Sequence, residues 1–138
     1  MDGREHLEVA RDLAGENTEA KWRTAASRAY YSLLLECRDA LRRWGIQVLK
    51  RDIRVFVKQR FRLVNNADLV GIGAYLEALN ELRARADYEL GPLPEFRTAQ
   101  RARSAVQEAA DALVLLDSLD GDATRRSAAI AAIRKAFP

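Results

Sequence analysis

Apolar side chains recur along this chain at alternating steps of three and four residues, the spacing of one face of an α-helix. The clearest stripe runs from Trp22 to Trp44. Asn17 and Thr18 precede it as candidate N-caps, and Gly45 follows it as a candidate C-terminal stop. The pattern predicts one long central helix flanked by shorter elements.

Five further stretches show the same helical period, and glycines, prolines and short polar turns separate them. No stretch alternates with period two for long enough to be a strand. The predicted helices span about residues 3–14, 18–44, 50–63, 68–90, 95–119 and 122–137. The sequence therefore predicts an all-α fold of five to six helices.

The chain has 138 residues, the length of one domain, and we expect a single domain over residues 1–138. Its core bundle would take residues 3–120 and its C-terminal helix residues 122–137. Charged residues make up 31% of the chain, and the longest apolar run, residues 30–35, is far too short to cross a bilayer. The amino terminus lacks the apolar segment of a secretion signal. These features predict a cytoplasmic protein that does not enter membranes.

Few side chains can carry metal or acid–base chemistry. The chain has one histidine, His6, and one cysteine, Cys37, which together cannot make a zinc site within one chain. We expect His6 to be a surface residue and Cys37 to be a small core residue. No metal or cofactor is predicted.

Positive charge is concentrated in one segment. Residues 42–62 hold eight cations and one anion, a local net charge of +7, although the whole chain carries only +3. On a helix over residues 50–63, Arg51, Arg54 and Lys58 would share one face, with Lys50 beside them. Such a face can bind RNA or another polyanion. The alternatives are an acidic partner protein and a solvated surface.

A second group of polar side chains lies near the end of the fourth predicted helix. Arg83 and Asp87 are four residues apart, so they face each other on a helix, and Tyr88 follows. An aspartate in the last helical turn needs a cation because the helix dipole disfavours it there. Arg28 and Tyr31, on the edge of the second helix, could reach it. We predict a polar cluster of these five residues, with either a structural or a functional role.

Two segments together resemble a known family. ASRAYYSLLLECRDALRRWGI, residues 26–46, and LNELRARADY, residues 79–88, resemble the RAYY and R-x-x-A-D-Y motifs of small stand-alone prokaryotic HEPN domain proteins. The resemblance implies an up-and-down helical bundle that forms a homodimer. It also implies a minimal nucleotidyltransferase as partner protein in a toxin–antitoxin module, and RNA as a target.

The resemblance extends to a ribonuclease motif, with one departure. Active family members place a histidine four to six residues after an arginine. That arginine falls on Arg83, but Asp87 stands near the histidine position, with Tyr88 beside it. In some branches a tyrosine near this histidine is modified by the partner, and Tyr88 is the nearest counterpart. An exposed aspartate is a poor general acid near pH 7, so the catalytic motif looks degenerate.

Three functions are consistent with these observations. The first is a HEPN-domain component of an RNA-associated defence module that binds RNA, a nucleotide or a nucleotidyltransferase without cutting RNA. The second is an active, metal-independent endoribonuclease toxin that uses Arg83 and Asp87. The third is a helical adaptor that works only by self-association. Fold resemblance alone does not choose among them.

Overall fold

Helices form nearly the whole of the computed structural model, which describes residues 2–138. Residues 2–138 form six α-helices and a short 3₁₀ turn at Pro94–Phe96, and they contain no strand. The all-α prediction is therefore confirmed. The six helices are α1 (Gly3–Ala14), α2 (Glu19–Arg43), α3 (Ile53–Arg62), α4 (Ala67–Tyr88), α5 (Gln100–Gly121) and α6 (Ala123–Ala136).

Side-chain caps fix most of the helix starts. The side chains of Asp2, Thr18, Asn66 and Asp122 accept hydrogen bonds from backbone N–H groups of the first turns of α1, α2, α4 and α6. These bonds satisfy donors that have no partner within the helix. The prediction of a cap at Thr18 is confirmed.

Gly45 ends α2 in the predicted way. Its φ of 79° lies in the left-handed region that glycine tolerates. The Gly45 N–H donates to the Arg42 carbonyl at 3.1 Å, and the Ile46 N–H donates to the Leu41 carbonyl at 2.9 Å. These two bonds form a Schellman motif, which satisfies carbonyls at the helix end.

Two predicted helix starts are wrong. The third helix begins at Ile53, not near residue 50, because Asp52 adopts a left-handed conformation with φ 53° that a helix cannot continue through. Lys50 and Arg51 therefore precede α3, and Arg51 does not share a helical face with Arg54. The fifth helix begins at Gln100, not at residue 95, because a separate 3₁₀ turn follows the prolines.

Contacts between helices show the direction in which each helix of the bundle runs. The start of α1 lies beside the later part of α2, where Arg4 pairs with Glu36. Ser27 near the start of α2 contacts Asp87 at the end of α4. Arg125, which follows α5, pairs with Asp68 at the start of α4. Thus α2 and α5 run one way and α1 and α4 the other, and α3 packs mainly on α4.

The core is built around α2 and is rich in alanine. Alanine lets helices approach closely because the interaxial distance depends on the side chains at the contact. Phe61 of α3 and Phe96 of the 3₁₀ turn are its largest fully buried side chains. Cys37 is fully buried, as predicted, and burial raises the pKa of its thiol well above its ordinary value. The buried alanines are Ala10, Ala14, Ala25, Ala26, Ala29, Ala40, Ala86, Ala102, Ala105, Ala109, Ala112 and Ala129.

Within residues 2–138, no helix combines the length and the apolar composition needed to cross a bilayer.

Candidate functional site

A cleft of about 410 Å³ opens between α1, α2 and α4. It lies over one side of α2, and α1 and α4 each contribute one lining residue. Its walls carry hydroxyl, guanidinium, imidazole, phenol and carboxylate groups, all of which can contact a polar ligand. The side chains that line it are His6 from α1, Thr24, Ser27, Arg28 and Tyr31 from α2, and Asp87 from α4.

The Asp87 wall of the cleft continues into a buried arginine. Arg83 is only 5% exposed, and its Nη1 donates to Asp87 Oδ2 at 3.3 Å. Its Nε and Nη2 both donate to Asn80 Oδ1, at 3.1 and 3.0 Å. Ser27 Oγ contacts the same Asp87 oxygen at 3.4 Å. A buried guanidinium with several matched acceptors is held in one orientation.

Two tyrosines flank this arginine, and a third packs against one of them. The Arg83 guanidinium carbon lies 5.5 Å from the Tyr30 ring centre and 5.7 Å from that of Tyr88, within cation–π range. Tyr30 is buried, and burial raises its pKa to about 12, so its hydroxyl stays protonated. Tyr30 and Tyr31 pack edge to face, with ring centres 5.3 Å apart. Tyr88 is 69% exposed and leaves its ring available to solvent.

The structure brings the five residues of the predicted polar cluster together. Arg28, Tyr31 and Asp87 line one cleft, Arg83 is bonded to Asp87, and Tyr88 lies against Arg83. The predicted intrahelical pair of Arg83 and Asp87 is present, at 3.3 Å.

His6 is the residue that sequence reasoning misplaced. The expected surface histidine is half-buried and lines the cleft, and its Nδ1 lies 3.0 Å from Arg28 Nη1. Burial, and then the charge of Arg28, lower its pKa below the ordinary value. Sequence offered one weak signal: His6 shares the helical face of Gly3 and Ala10, which pack on α2.

The basic residues of α3 adjoin this cleft. The Arg54 guanidinium carbon lies 6.0 Å from the Tyr31 ring centre. Arg54 and Lys58 line a small depression with Tyr30 and Asn80, which contacts Arg83. Lys50 shares another shallow depression with Arg54. A continuous polar surface therefore runs from α3 across Tyr31 to the cleft.

These cations differ from most others in the bundle by lacking a carboxylate partner. The ion pairs of residues 2–138 include none from Arg28, Lys50, Arg51, Arg54 or Lys58. Two carboxylates lie among these cations: Asp87 lines the cleft, and Asp52 lines the depression of Lys50 and Arg54. The positive charge of the cations is therefore largely uncompensated and favours an anionic ligand.

Within residues 2–138, no group of three histidine, cysteine or carboxylate side chains could hold a metal ion. The cleft and the adjoining face of α3 offer cations that can bind phosphates and the Tyr31 ring, which can stack on a base.

Comparison of the chain with family models, with curated proteins and with solved structures found no match in any of the three.

Proposed function

We propose that this protein binds single-stranded RNA through the cleft between α1, α2 and α4 and the adjoining basic face of α3. The observation that carries the proposal is the alternation of unpaired cations with an aromatic ring. Tyr31 lies between Arg28 in the cleft and Arg54 on α3. Single-strand binding proteins combine cationic grooves for the phosphates with aromatic rings for the bases.

The exposed cations supply the affinity in this proposal. Arg54 and Lys58 are exposed and lie one helical turn apart on α3, and Lys50 lies near Arg54. Phosphate binding by such side chains releases counterions, so the affinity depends steeply on salt. Each cation that meets a phosphate of single-stranded RNA adds about 0.7 to the slope of log affinity against log salt.

The binding test is fluorescence anisotropy with a labelled single-stranded oligouridylate at several salt concentrations. Four phosphate contacts predict a slope of about −3. An RNA duplex of equal length is the control, because its bases cannot stack on Tyr31 and it should bind more weakly. Absence of binding at 50 mM salt would refute the proposal.

The proposed biological setting is a HEPN-type module. The RAYY and R-x-x-A-D-Y segments support it: their residues Tyr30, Tyr31, Arg83, Asp87 and Tyr88 all lie at or beside the cleft. In this setting the partner protein is a minimal nucleotidyltransferase encoded by a neighbouring gene, and the module is a toxin and its antitoxin. Co-purification with the product of the neighbouring gene, followed by mass spectrometry of Tyr88, tests both the partner and the modification.

Self-association is part of the same proposal. Val55 and Leu63 are 54% and 63% exposed and flank an open depression of about 490 Å³ at α3. Exposed apolar side chains around a depression are typical of surfaces that another protein covers. Sedimentation with and without RNA measures the oligomeric state, and a dimer that ignores RNA would favour the adaptor function instead.

A second candidate function, RNA cleavage, is favoured by the position of His6. The imidazole can move a proton near pH 7, which Asp87 does poorly, and both line the same cleft. Attack of an RNA 2′-hydroxyl on its own phosphate needs such a base and a cation near the phosphate. Cleavage of the oligouridylate that is lost in His6→Gln and in Arg83→Ala would establish it. Intact RNA after prolonged incubation would exclude it and leave binding.

A further inference from the structure

The hydrogen bond between Arg28 and His6 specifies the protonation state of the imidazole. Arg28 Nη1 lies 3.0 Å from His6 Nδ1. A guanidinium has donors and no acceptor, so Nδ1 must be the acceptor in this contact. His6 is therefore neutral here, with its proton on Nε2.

Protonation of His6 would break this contact. An imidazolium carries N–H groups at both ring nitrogens and can no longer accept a bond from Arg28. Two cations would then face each other across a half-buried cleft with no bond between them. An anion with several oxygens can accept from both at once, as a phosphate does.

The hydrogen bond is not needed to hold α1 against α2. Gly3, Leu7 and Ala10 of α1 are buried, and a Cβ added at Gly3 would lie 2.5 Å from the Ser32 carbonyl oxygen of α2. The two helices are therefore already in close apolar contact. The polar groups at the cleft edge remain free to bind a ligand.

We propose that His6 and Arg28 form a phosphate subsite of the cleft, and that binding of a phosphodiester there favours protonation of His6. The inference rests on the proposed RNA binding and adds to it where one phosphate lies and how its affinity depends on pH. In the free protein Arg28 donates to His6. In the complex both side chains donate to phosphate oxygens.

The charged groups around His6 are consistent with a link between phosphate binding and protonation of His6. Burial and Arg28 lower the pKa of His6, whereas Glu5 and Asp2 on and before α1 act in the opposite sense. From α4, Asp87 lines the same cleft. The remaining helix packed on α1 is α5, and its Asp117 is engaged with Arg4 at 2.6 Å.

The sign of the pH dependence follows from linkage. A bound phosphodiester places negative charge beside His6 and raises its pKa, so the complex holds more protons than the free protein. Affinity then increases as pH falls. A tenfold gain corresponds to a rise of one in the pKa of His6.

The experiment follows the imidazole directly by NMR, because His6 is the one histidine of the chain. The protein is prepared without a histidine tag, and its Cε1–H signal is titrated between pH 5.5 and 7.5. The titration is run alone, with sodium sulfate, and with a saturating oligouridylate that carries a 5′-hydroxyl. Phosphodiesters and sulfate keep a constant charge in this range, so the titration reports His6 alone.

The expected result is a pKa of His6 that rises by about one on RNA binding. Affinity should then be about fivefold tighter at pH 5.5 than at pH 7.5, because part of the tenfold gain lies outside this range. His6→Gln should bind more weakly than the parent at pH 5.5 and lose most of the pH dependence. The matched control Arg103→Ala, which removes an exposed cation of α5, should change neither.

The outcomes distinguish failure of the phosphate subsite from failure of RNA binding. An oligouridylate that binds with a steep salt dependence and leaves the pKa of His6 unchanged would overturn the subsite and leave the RNA function standing. A sulfate-dependent rise without oligouridylate binding would support the subsite as a small-anion site and refute the RNA function. No response to either ligand would overturn both.

Discussion

Two polar clusters of this bundle differ in how their charges are matched. At the far end of α2, Asp120 accepts from Arg43 Nη2 at 2.8 Å and from Trp44 Nε1 at 2.8 Å. Arg43, Trp44 and Asp120 form the Asp120 cluster, in which the one cation and the one carboxylate are paired. In the cleft between α1, α2 and α4, Arg28 meets only a neutral imidazole.

We interpret the Asp120 cluster as structural and the cleft as a candidate binding site. A cluster whose donors and acceptors satisfy one another has nothing left to offer a ligand, and it fixes the register of the helices that it joins. A cluster with more cations than anions attracts anionic ligands. Burial of charged side chains does not distinguish the two clusters, because both clusters contain buried or half-buried charges.

The largest expected effect is on stability, from Asp120→Ala. The substitution leaves Trp44 Nε1 and Arg43 without their acceptor, and loss of a hydrogen bond to a charged group costs about 2 kcal/mol. Urea denaturation measures the free energy of unfolding. RNA affinity should be unchanged, since Asp120 lies away from the cleft.

Asp12→Ala is the matched control for that prediction. Asp12 is an exposed aspartate of α1, and we expect its loss to change stability by no more than about 0.5 kcal/mol. Equal destabilisation by both substitutions would show that the Asp120 cluster has no special structural role.

The second effect is on RNA binding, from the double variant Arg54→Ala and Lys58→Ala. Removing two phosphate contacts should weaken affinity about tenfold or more at 50 mM salt and reduce the salt slope by about 1.4. Stability should change little, because both side chains are exposed. Anisotropy titrations at four salt concentrations provide the slope.

A double variant with the same change in net charge controls for that experiment. Arg103→Ala with Lys135→Ala removes two exposed cations from α5 and α6. If it weakens RNA binding as much as the α3 variant does, the RNA responds to net charge and the location of the site is wrong.

The sequence specified the helices better than the site, and the reason is physical. Helical periodicity and capping residues such as Thr18 and Gly45 act locally, so they can be read from the chain. No comparable sequence pattern predicts the left-handed conformation of Asp52, which shortens α3. The pair of Arg83 and Asp87 was predictable because it lies within one helix. The contact between His6 and Arg28 depends on how α1 packs against α2. Hydrophobic periodicity does not predict that packing.

A third and smaller effect is a gain of affinity in Asp87→Asn. This substitution removes the carboxylate that lines the cleft and keeps a side chain of the same shape. We expect two- to threefold tighter RNA binding at low salt, the size of one exposed charge interaction of about 0.5 kcal/mol. Asp111→Asn, an exposed aspartate of α5, is the control and should leave affinity unchanged. Weaker binding in Asp87→Asn would mean that Asp87 contacts the RNA directly.

The smallest effect is the pH dependence of stability at the Asp120 cluster. Burial opposes the charged form of Asp120, but hydrogen bonds from Trp44 and Arg43 outweigh it and lower its pKa. A carboxyl with a lowered pKa in the folded state stabilises the fold above its unfolded pKa, and that stabilisation is lost as pH falls through the folded pKa. Asp120→Asn should therefore be less stable than the parent at pH 7, and the gap should narrow below about pH 4. A difference in stability between Asp120→Asn and the parent that does not change with pH would contradict the lowered pKa of Asp120.

The most direct test of the central claim is a map of backbone amide shifts on addition of the oligouridylate to ¹⁵N-labelled protein. The account predicts that the largest changes fall around Ser27, Tyr31 and Asp87 and along the Arg54 face of α3. The amides around Trp44 and Asp120 should move little. Changes centred on the Asp120 cluster, or spread evenly over the bundle, would contradict it.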